Sequence, residues 1–326
     1  MSSGTQLDLL GDERRPWLDR LRQRLHTWTE RGVWFGTSSW KYEGWLGQIY
    51  SRDRYQVRGR FSKPAFEREC LEEYAETFPS VCGDFSFYQF YGESFWQRLF
   101  AQVPSSFQFG FKVPETITCP FFPDHPRYGA ERGKPNAHFL DADLLQRDFL
   151  DRLRPYRGQI GYLVFEFPQF HRPTADSNAR FLEQLDQFLG RLPAGFPYSV
   201  EIRTAPLLGA DYFACLRRHG VGHAFNSWTR MPTIGEQVAA PGAFTSDPVV
   251  ARVLLRPGRA YEEAVQLFQP YAEVRDPYPE GYRDVARLVR AATEPAAKRK
   301  VFVVINTRWV GNAIRAIEAI LDELEK

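Results

Sequence analysis

The sequence lacks any apolar run near the roughly 20 residues that a helix needs to cross a bilayer, so no membrane span or membrane partner is expected in its 326 residues. The first fifteen residues, MSSGTQLDLLGDERR, lack the long apolar core of a secretory signal. Cysteine is scarce. Cys70, Cys82, Cys119 and Cys215 show no paired spacing, which argues against a zinc ribbon or a disulfide framework and fits a reducing cytoplasm. No charge of one sign dominates: 42 Lys and Arg against 40 Asp and Glu leave a net +2. Bulk charge therefore does not point to nucleic acid, although a local basic patch stays open. There is no internal sequence repeat, and no Gly-rich dinucleotide turn follows the first strand.

What is present is an alternation of elements. The period-2 and period-3.6 patterns predict strands over 33–40, 81–88, 107–113, 160–167, 198–203, 221–228, 251–256 and 300–306. Each is followed by a helix or helical stretch, among them 64–78, 93–103, 141–154, 177–192, 210–219 and 311–324. Eight such units predict a parallel sheet closed into a (β/α)8 barrel of the TIM type. An extra amphipathic helix is expected over 16–31, preceded by a flexible tail over 1–15, so that 16–326 forms one barrel domain. The Pro-rich connections 114–140 and 270–279 are expected to order over the barrel mouth.

Side chains on a barrel strand alternate between the helix layer and the interior. Over 198–203, Tyr198, Val200 and Ile202 form the apolar face, which leaves Ser199, Glu201 and Arg203 inside. The same rule turns Lys112, Glu166, Asp84, Tyr88, Asn226, Arg256 and Asn306 inward, with Ser38 and Trp40 on the first strand. Each strand thus brings a polar or aromatic group to its C-terminal end, where barrel enzymes carry their chemistry. Glu201, Arg203, Lys112 and Glu166 are the candidate catalytic residues. The cations would hold a phosphate or carboxylate, and a glutamate beside them, with its pKa lowered, would serve as a base. The same residues also fit a buried ion network that closes the barrel top. No cofactor is predicted. None of the six histidines falls inward at a strand end, so a divalent metal would need His125, His138 and His171 to converge from loops.

Several segments together resemble the family catalogued as domain of unknown function 72, the YecE-like proteins. They are GTSSWKYEGWLGQIYS from Gly36, LEEYAETFPSV from Leu71, the pair Phe87–Tyr88, FQFGFKVPETIT from Phe107, FEFPQF from Phe165, YSVEIR from Tyr198 and VFVVINTRWVGNAIRAI from Val301. The resemblance implies the same barrel. Its recurrent polar positions fall on Lys112, Glu201, Arg203, Asn306, Gly311 and Ala313, and it implies no established activity. The chain departs from the pattern at Cys82 and Asp84, where Glu and Asn are usual. It departs again at Cys119, at Glu166 in place of Gln, and at Thr204 in place of His.

In the tail, Gln6, Leu7, Leu9 and Leu10 resemble the peptide by which bacterial repair proteins bind the sliding clamp, with Leu10 where Phe is preferred. Arg14, Arg15, Arg20, Arg22, Arg24 and Arg31 surround Trp17 and Trp28, either as a nucleic-acid face or as a solvated helix surface docked by its tryptophans. Three functions follow. The first is an enzyme acting on a small anionic molecule, sugar-like or phosphorylated, at the barrel mouth. The second is a clamp-tethered DNA-maintenance protein. The third is a non-catalytic scaffold.

Overall fold

The computed structural model describes residues 9–170 and 174–326, with side chains from residue 16 onward. Eight parallel strands close into a barrel: β1 Val33–Thr37, β2 Ser80–Gly83, β3 Gln108–Lys112, β4 Ile160–Phe167, β5 Tyr198–Ile202, β6 Gly222–Ser227, β7 Val249–Val253 and β8 Val301–Ile305. Each strand pairs with the next in the chain, and β8 returns to β1 in register Val33↔Val301. These strands are rich in Val, Ile and Phe because both faces are covered, as in all-parallel sheets.

Helices form the outer layer, and their caps are written in the sequence. Ser62 accepts from the Ala65 amide ahead of Lys63–Ala75, with Pro64 in the first turn. Thr174 and Ser177 form a reciprocal cap on Ala175–Gly190. Asn312 accepts from the Arg315 amide at the start of Ala313–Leu324, whose Ile314, Ile317, Ile320 and Leu321 are buried. The N-terminal helix runs from Leu9 to Glu30. It buries Leu21, Leu25 and Trp28 in the main core, Arg22 meets Glu76, and Arg24 meets Asp322 and Glu325. It therefore lies as an additional outer helix between Lys63–Ala75 and Ala313–Leu324, with Trp17 donating to Glu318 at 2.7 Å. Of the expected clamp-binding peptide, Gln6 and Leu7 lie outside the described residues, as do the side chains of Leu9 and Leu10.

The interior divides by height. Its floor is apolar: Phe302 stacks on Trp34 at 5.0 Å and packs with Tyr162, Val164, Val250 and Val304. Tyr162 occupies the space beside Gly110 so closely that a Cβ there would lie 2.0 Å from its ring. Charged side chains begin above this plug, toward the C-terminal strand ends.

Three strand ends correct the sequence reading. β1 stops at Thr37, so Ser38 and Trp40 lie just past it rather than on it. β2 stops at Gly83, and a 3-10 turn over Asp84–Phe87 follows, because the Ser86 hydroxyl turns back to the Gly83 carbonyl at 2.9 Å and the Lys112 carbonyl at 2.6 Å. Strand alternation does not extend to Tyr88, which is 56% exposed rather than facing the interior. β7 stops at Val253, so Arg256 lies in the following loop and pairs with Asp276 at 3.0 Å. Both Pro-rich connections are ordered. Arg127 meets Glu115 at 2.7 Å, the Asn136 amide donates to the Thr116 and Cys119 carbonyls, and Tyr271 packs edge-on against Tyr42.

Candidate functional site

The mouth of the barrel holds an ion cluster built from five strand ends. Glu166 from β4, Glu201 from β5 and Arg252 from β7 are buried, and Lys112 at the end of β3 is 6% exposed. Arg203, just past β5, and Asp84, just past β2, complete it. The Arg252 guanidinium is central. Its Nη1 donates to Glu166 Oε2 at 2.8 Å and to Glu201 Oε2, and its Nη2 reaches Asp84 Oδ1 at 3.3 Å. Glu166 Oε2 also receives Lys112 Nζ at 3.0 Å and Arg203 Nη2 at 2.8 Å. Arg203 Nε donates to Glu201 Oε1 at 3.1 Å. Three carboxylates face three cations, so the cluster is neutral as a whole.

Aromatic rings cover the cations. The Lys112 ammonium sits 3.5 Å from the Phe87 ring centre, and the Arg203 guanidinium lies 3.7 Å from that of Trp228. Burial by itself would raise the Glu166 carboxyl, but Arg203, Lys112 and Arg252 hold it well below the usual carboxylate range. Burial would likewise lower the Arg252 pKa, yet Glu201 and Glu166 push it higher still. Glu166 is thus a fixed anion. The Asp84 side chain differs from both glutamates: it is 30% exposed and meets Arg252 by one long contact. The Cys82 thiol donates to it at 3.4 Å and is pushed up to about 12 chiefly by its own burial.

Asp84 also lines a cavity of about 490 Å3, within the roughly 300–1,000 Å3 usual for small-molecule sites. The cavity opens between the C-terminal ends of β1 and β2 and the helices Lys63–Ala75 and Glu93–Phe100. Ser38, Trp40 and Cys82 share its inner wall with Asp84, Phe85, Tyr91 and Phe95 supply aromatic surface, and Lys41, Arg68 and Arg98 supply cations.

The structure thus brings Lys112, Glu166, Glu201 and Arg203 into one cluster with Asp84, and it places Ser38 and Trp40 at the adjoining cavity. Asn306 donates to the Ser38 hydroxyl at 2.6 Å and fixes it there. Asn226 is fully buried and donates to the Ile202 carbonyl, while its Oδ1 and the Arg252 Nε have no hydrogen-bond partner among the described residues. Tyr88 and Arg256 stand apart from the cluster. Tyr88 lies under the Arg127 guanidinium, and Arg256 lies over Tyr278. Sequence reading missed Arg252, although it shares its strand parity with Arg256, and missed the cavity wall from Tyr91 to Arg98, which comes from a helix.

The histidines are dispersed. The exposed His125 caps a turn through its Nδ1, and the exposed His138 meets Asp141. His171 lies outside the described residues. His223 is buried between the Tyr212 hydroxyl and the Gln237 carboxamide. Among the described residues, no group of three or more His, Cys, Asp or Glu side chains is placed to hold a metal ion.

Comparison with known proteins gives one consistent picture. The sequence model of a family described as "Protein of unknown function DUF72" matches residues 34–326. The UPF0759 proteins YecE of Escherichia coli K12 and O157:H7 are each 31% identical over 133 residues. That match spans 41% of this chain and 41% of their length. A DUF72 family protein of Enterococcus faecalis V583 superimposes with a TM-score of 0.56 at 14% identity, over 90% of this chain and 96% of the other. One from Thermotoga maritima MSB8 gives 0.55 at 19% identity, over 90% and 98%. At these identities the likeness in structure shows the fold.

Proposed function

Because the chain belongs to the DUF72 family, whose description assigns no activity, we propose from the site itself that this barrel is an enzyme. Its ligand is a small anionic, sugar-like molecule carrying a phosphate or carboxylate, bound at the mouth, and Asp84 is the group that moves the proton. One observation carries this reading. Asp84 stands where the cavity meets the ion cluster, and it is the one carboxylate of the three that is both solvent-accessible and loosely held. Glu166 and Glu201 are 6% and 0% exposed in their side chains and are clamped by cations. They position Arg252, which in turn positions Asp84. Lys112 and Arg203 balance their charge.

In this reading Lys41 and Arg98 meet the ligand's anionic group, since both are exposed at the cavity and neither has an acidic partner among the described residues. Trp40 and the Tyr91–Phe95 stack, with centroids 3.9 Å apart, offer flat surface to its body. Ser38, held by Asn306, adds a hydrogen bond. Proton transfer by a positioned carboxylate suits a hydrolase, lyase or isomerase.

The test is a thermal-shift panel of sugar phosphates, nucleotides and carboxylic acids against the wild type, Asp84→Asn and Lys41→Ala. A ligand of this class should raise the melting temperature of the wild type. It should do so less for Lys41→Ala, and Asp84→Asn should lose turnover while keeping most of the binding. Silence from the whole panel, or full turnover by Asp84→Asn, would overturn the reading.

A further inference from the structure

Between β1 and the Lys63–Ala75 helix the chain forms a small antiparallel hairpin, with Gln56 opposite Phe61 and Val57 opposite Arg60. Its base is fixed. Tyr55 is fully buried, packs edge-on against Phe66, and donates its hydroxyl to Glu73 Oε2 at 2.6 Å. Its tip projects: Val57 is 54% exposed, Phe61 is 41% exposed, and Arg58 and Arg60 are exposed. The two-residue turn Arg58–Gly59 has positive φ at both positions, 54° and 75°. Asn or Gly fits the first of these far better than arginine. An arginine is held there all the same, at the outermost point of the hairpin.

Most charges on this face are paired, and those left without an opposite partner among the described residues are mainly basic, with Asp53 and Glu67 as the acidic exceptions. Arg54 pairs with Glu72, Lys63 with Glu43, and Arg68 with Glu69. Asp53 accepts from Gln56. Arg58, Arg60, Lys41 and Arg98 have no acidic partner among the described residues, and Glu67 is the one acidic side chain of the cavity wall besides Asp84. The hairpin runs through Ser62 straight into the helix whose Glu67 and Arg68 line that wall. The hairpin tip and the cleft faced with Trp40, Tyr91 and Phe95 thus each carry cations without an acidic partner among the described residues, and the Lys63–Ala75 helix joins the two.

We infer that this face binds single-stranded nucleic acid, with Arg58 and Arg60 on the phosphodiester backbone and the cleft receiving a base. The inference rests on the reading that the cleft takes an anionic, sugar-bearing ligand, and it names that ligand as part of a polynucleotide. A row of cations beside stacking surfaces is how sequence-tolerant single-strand binding works. Four of the surface cations are unneutralised here, and arginine, the better partner for both phosphate and ring, outnumbers lysine in the chain by 35 to 7. An anionic membrane would meet the same cations, but it cannot use an aromatic cleft behind them.

The experiment is fluorescence anisotropy with a labelled 20-nucleotide oligo-dT and its RNA counterpart, titrated at several salt concentrations. Vesicles of phosphatidylcholine and phosphatidylserine are run in parallel. Wild-type affinity should fall with salt at a log–log slope of about −2 to −3, for three to four phosphate contacts on a single strand. Arg58→Glu/Arg60→Glu should weaken binding about tenfold or more and flatten that slope. Arg58→Asn should weaken binding while leaving the melting temperature equal or higher, because Asn suits the turn. Phe95→Leu should weaken binding with the slope unchanged. Absence of oligonucleotide binding at low salt, binding indifferent to the hairpin variants, or binding to vesicles alone would overturn the inference. If mononucleotides or sugar phosphates still shift the melting temperature in those cases, the cleft reading stands and only its polynucleotide form falls.

Discussion

Arg252 carries more of the site than any other side chain, because one guanidinium bridges carboxylates from three separate strand ends. It is 1% exposed, so water cannot take its place. Its removal leaves Glu166 and Glu201 facing only Lys112 and Arg203 in a dry interior. Arg252→Met should destabilise the protein by about 3–5 kcal/mol, the usual cost of unpairing a buried charge. Glu201→Gln added to Arg252→Met should cost less than the two changes summed, since the second removes an anion that the first left exposed to its neighbours. Urea unfolding of the two singles and the double checks both statements. Additive losses would show that Arg252 and Glu201 do not act on each other. The same bridge explains why Asp84, and not Glu166 or Glu201, is left with solvent access: the glutamates are spent on holding the arginine.

At the scale of elements, the barrel interior is made by strands that exchange volume across it. Gly110 on β3 is small because Tyr162 on β4 is large and sits against it. Gly110→Ala should lower stability by about 1–3 kcal/mol through overpacking, and Tyr162→Leu should relieve part of that loss. Thermal unfolding of both singles and the pair reads the coupling, and an additive pair would refute the contact as the cause. Such pairs also mark how far the sequence could be read. β5 was legible residue by residue, because Tyr198, Val200 and Ile202 alternate without interruption and Glu201 between them has only the interior to face. The ends of strands were not. Ser86 turns the chain back on itself through two buried hydrogen bonds, which no periodicity announces, and so Tyr88 reads as inward when it is not. Arg252 lies inside the apolar run Val249–Val253, whereas the expected polar end of the strand is Arg256, four residues further along the chain. The cavity wall was least legible of all. Tyr91, Phe95 and Arg98 come from a helix and the loop before it, and their meeting with Trp40 and Lys41 is a fact of packing, not of pattern.

For the molecule as a whole, two buried groups contribute in sequence to the response to acid. Burial lowers the His223 pKa from its ordinary 6.5 to about 4 in the folded chain, with Gln237 opposing the shift only in part. The unfolded chain therefore takes up this proton first, and stability should fall as pH drops from about 6.5 to 4, at about 1.4 kcal/mol per pH unit from this group. Glu166, held below its ordinary 4.5, adds a second loss at still lower pH, when its carboxylate is protonated in the unfolded chain before the folded one. Above pH 6.5 neither group contributes a slope. Urea midpoints at pH 7.0, 5.5 and 4.5 for the wild type and His223→Gln test the first stage. The variant should be flatter across that window, and an equal slope would assign the acid response to other groups.

The neutrality of the ion cluster also has a kinetic meaning. Three positive and three negative charges packed within contact distance make a field that cancels a short way out, and the screening length of about 8 Å at physiological salt removes what is left. A charged molecule diffusing toward the barrel is therefore not drawn by the cluster at all. In the binding proposed above, the unpaired cations of the outer face would take over the capture of an anion, and ionic strength would act through them.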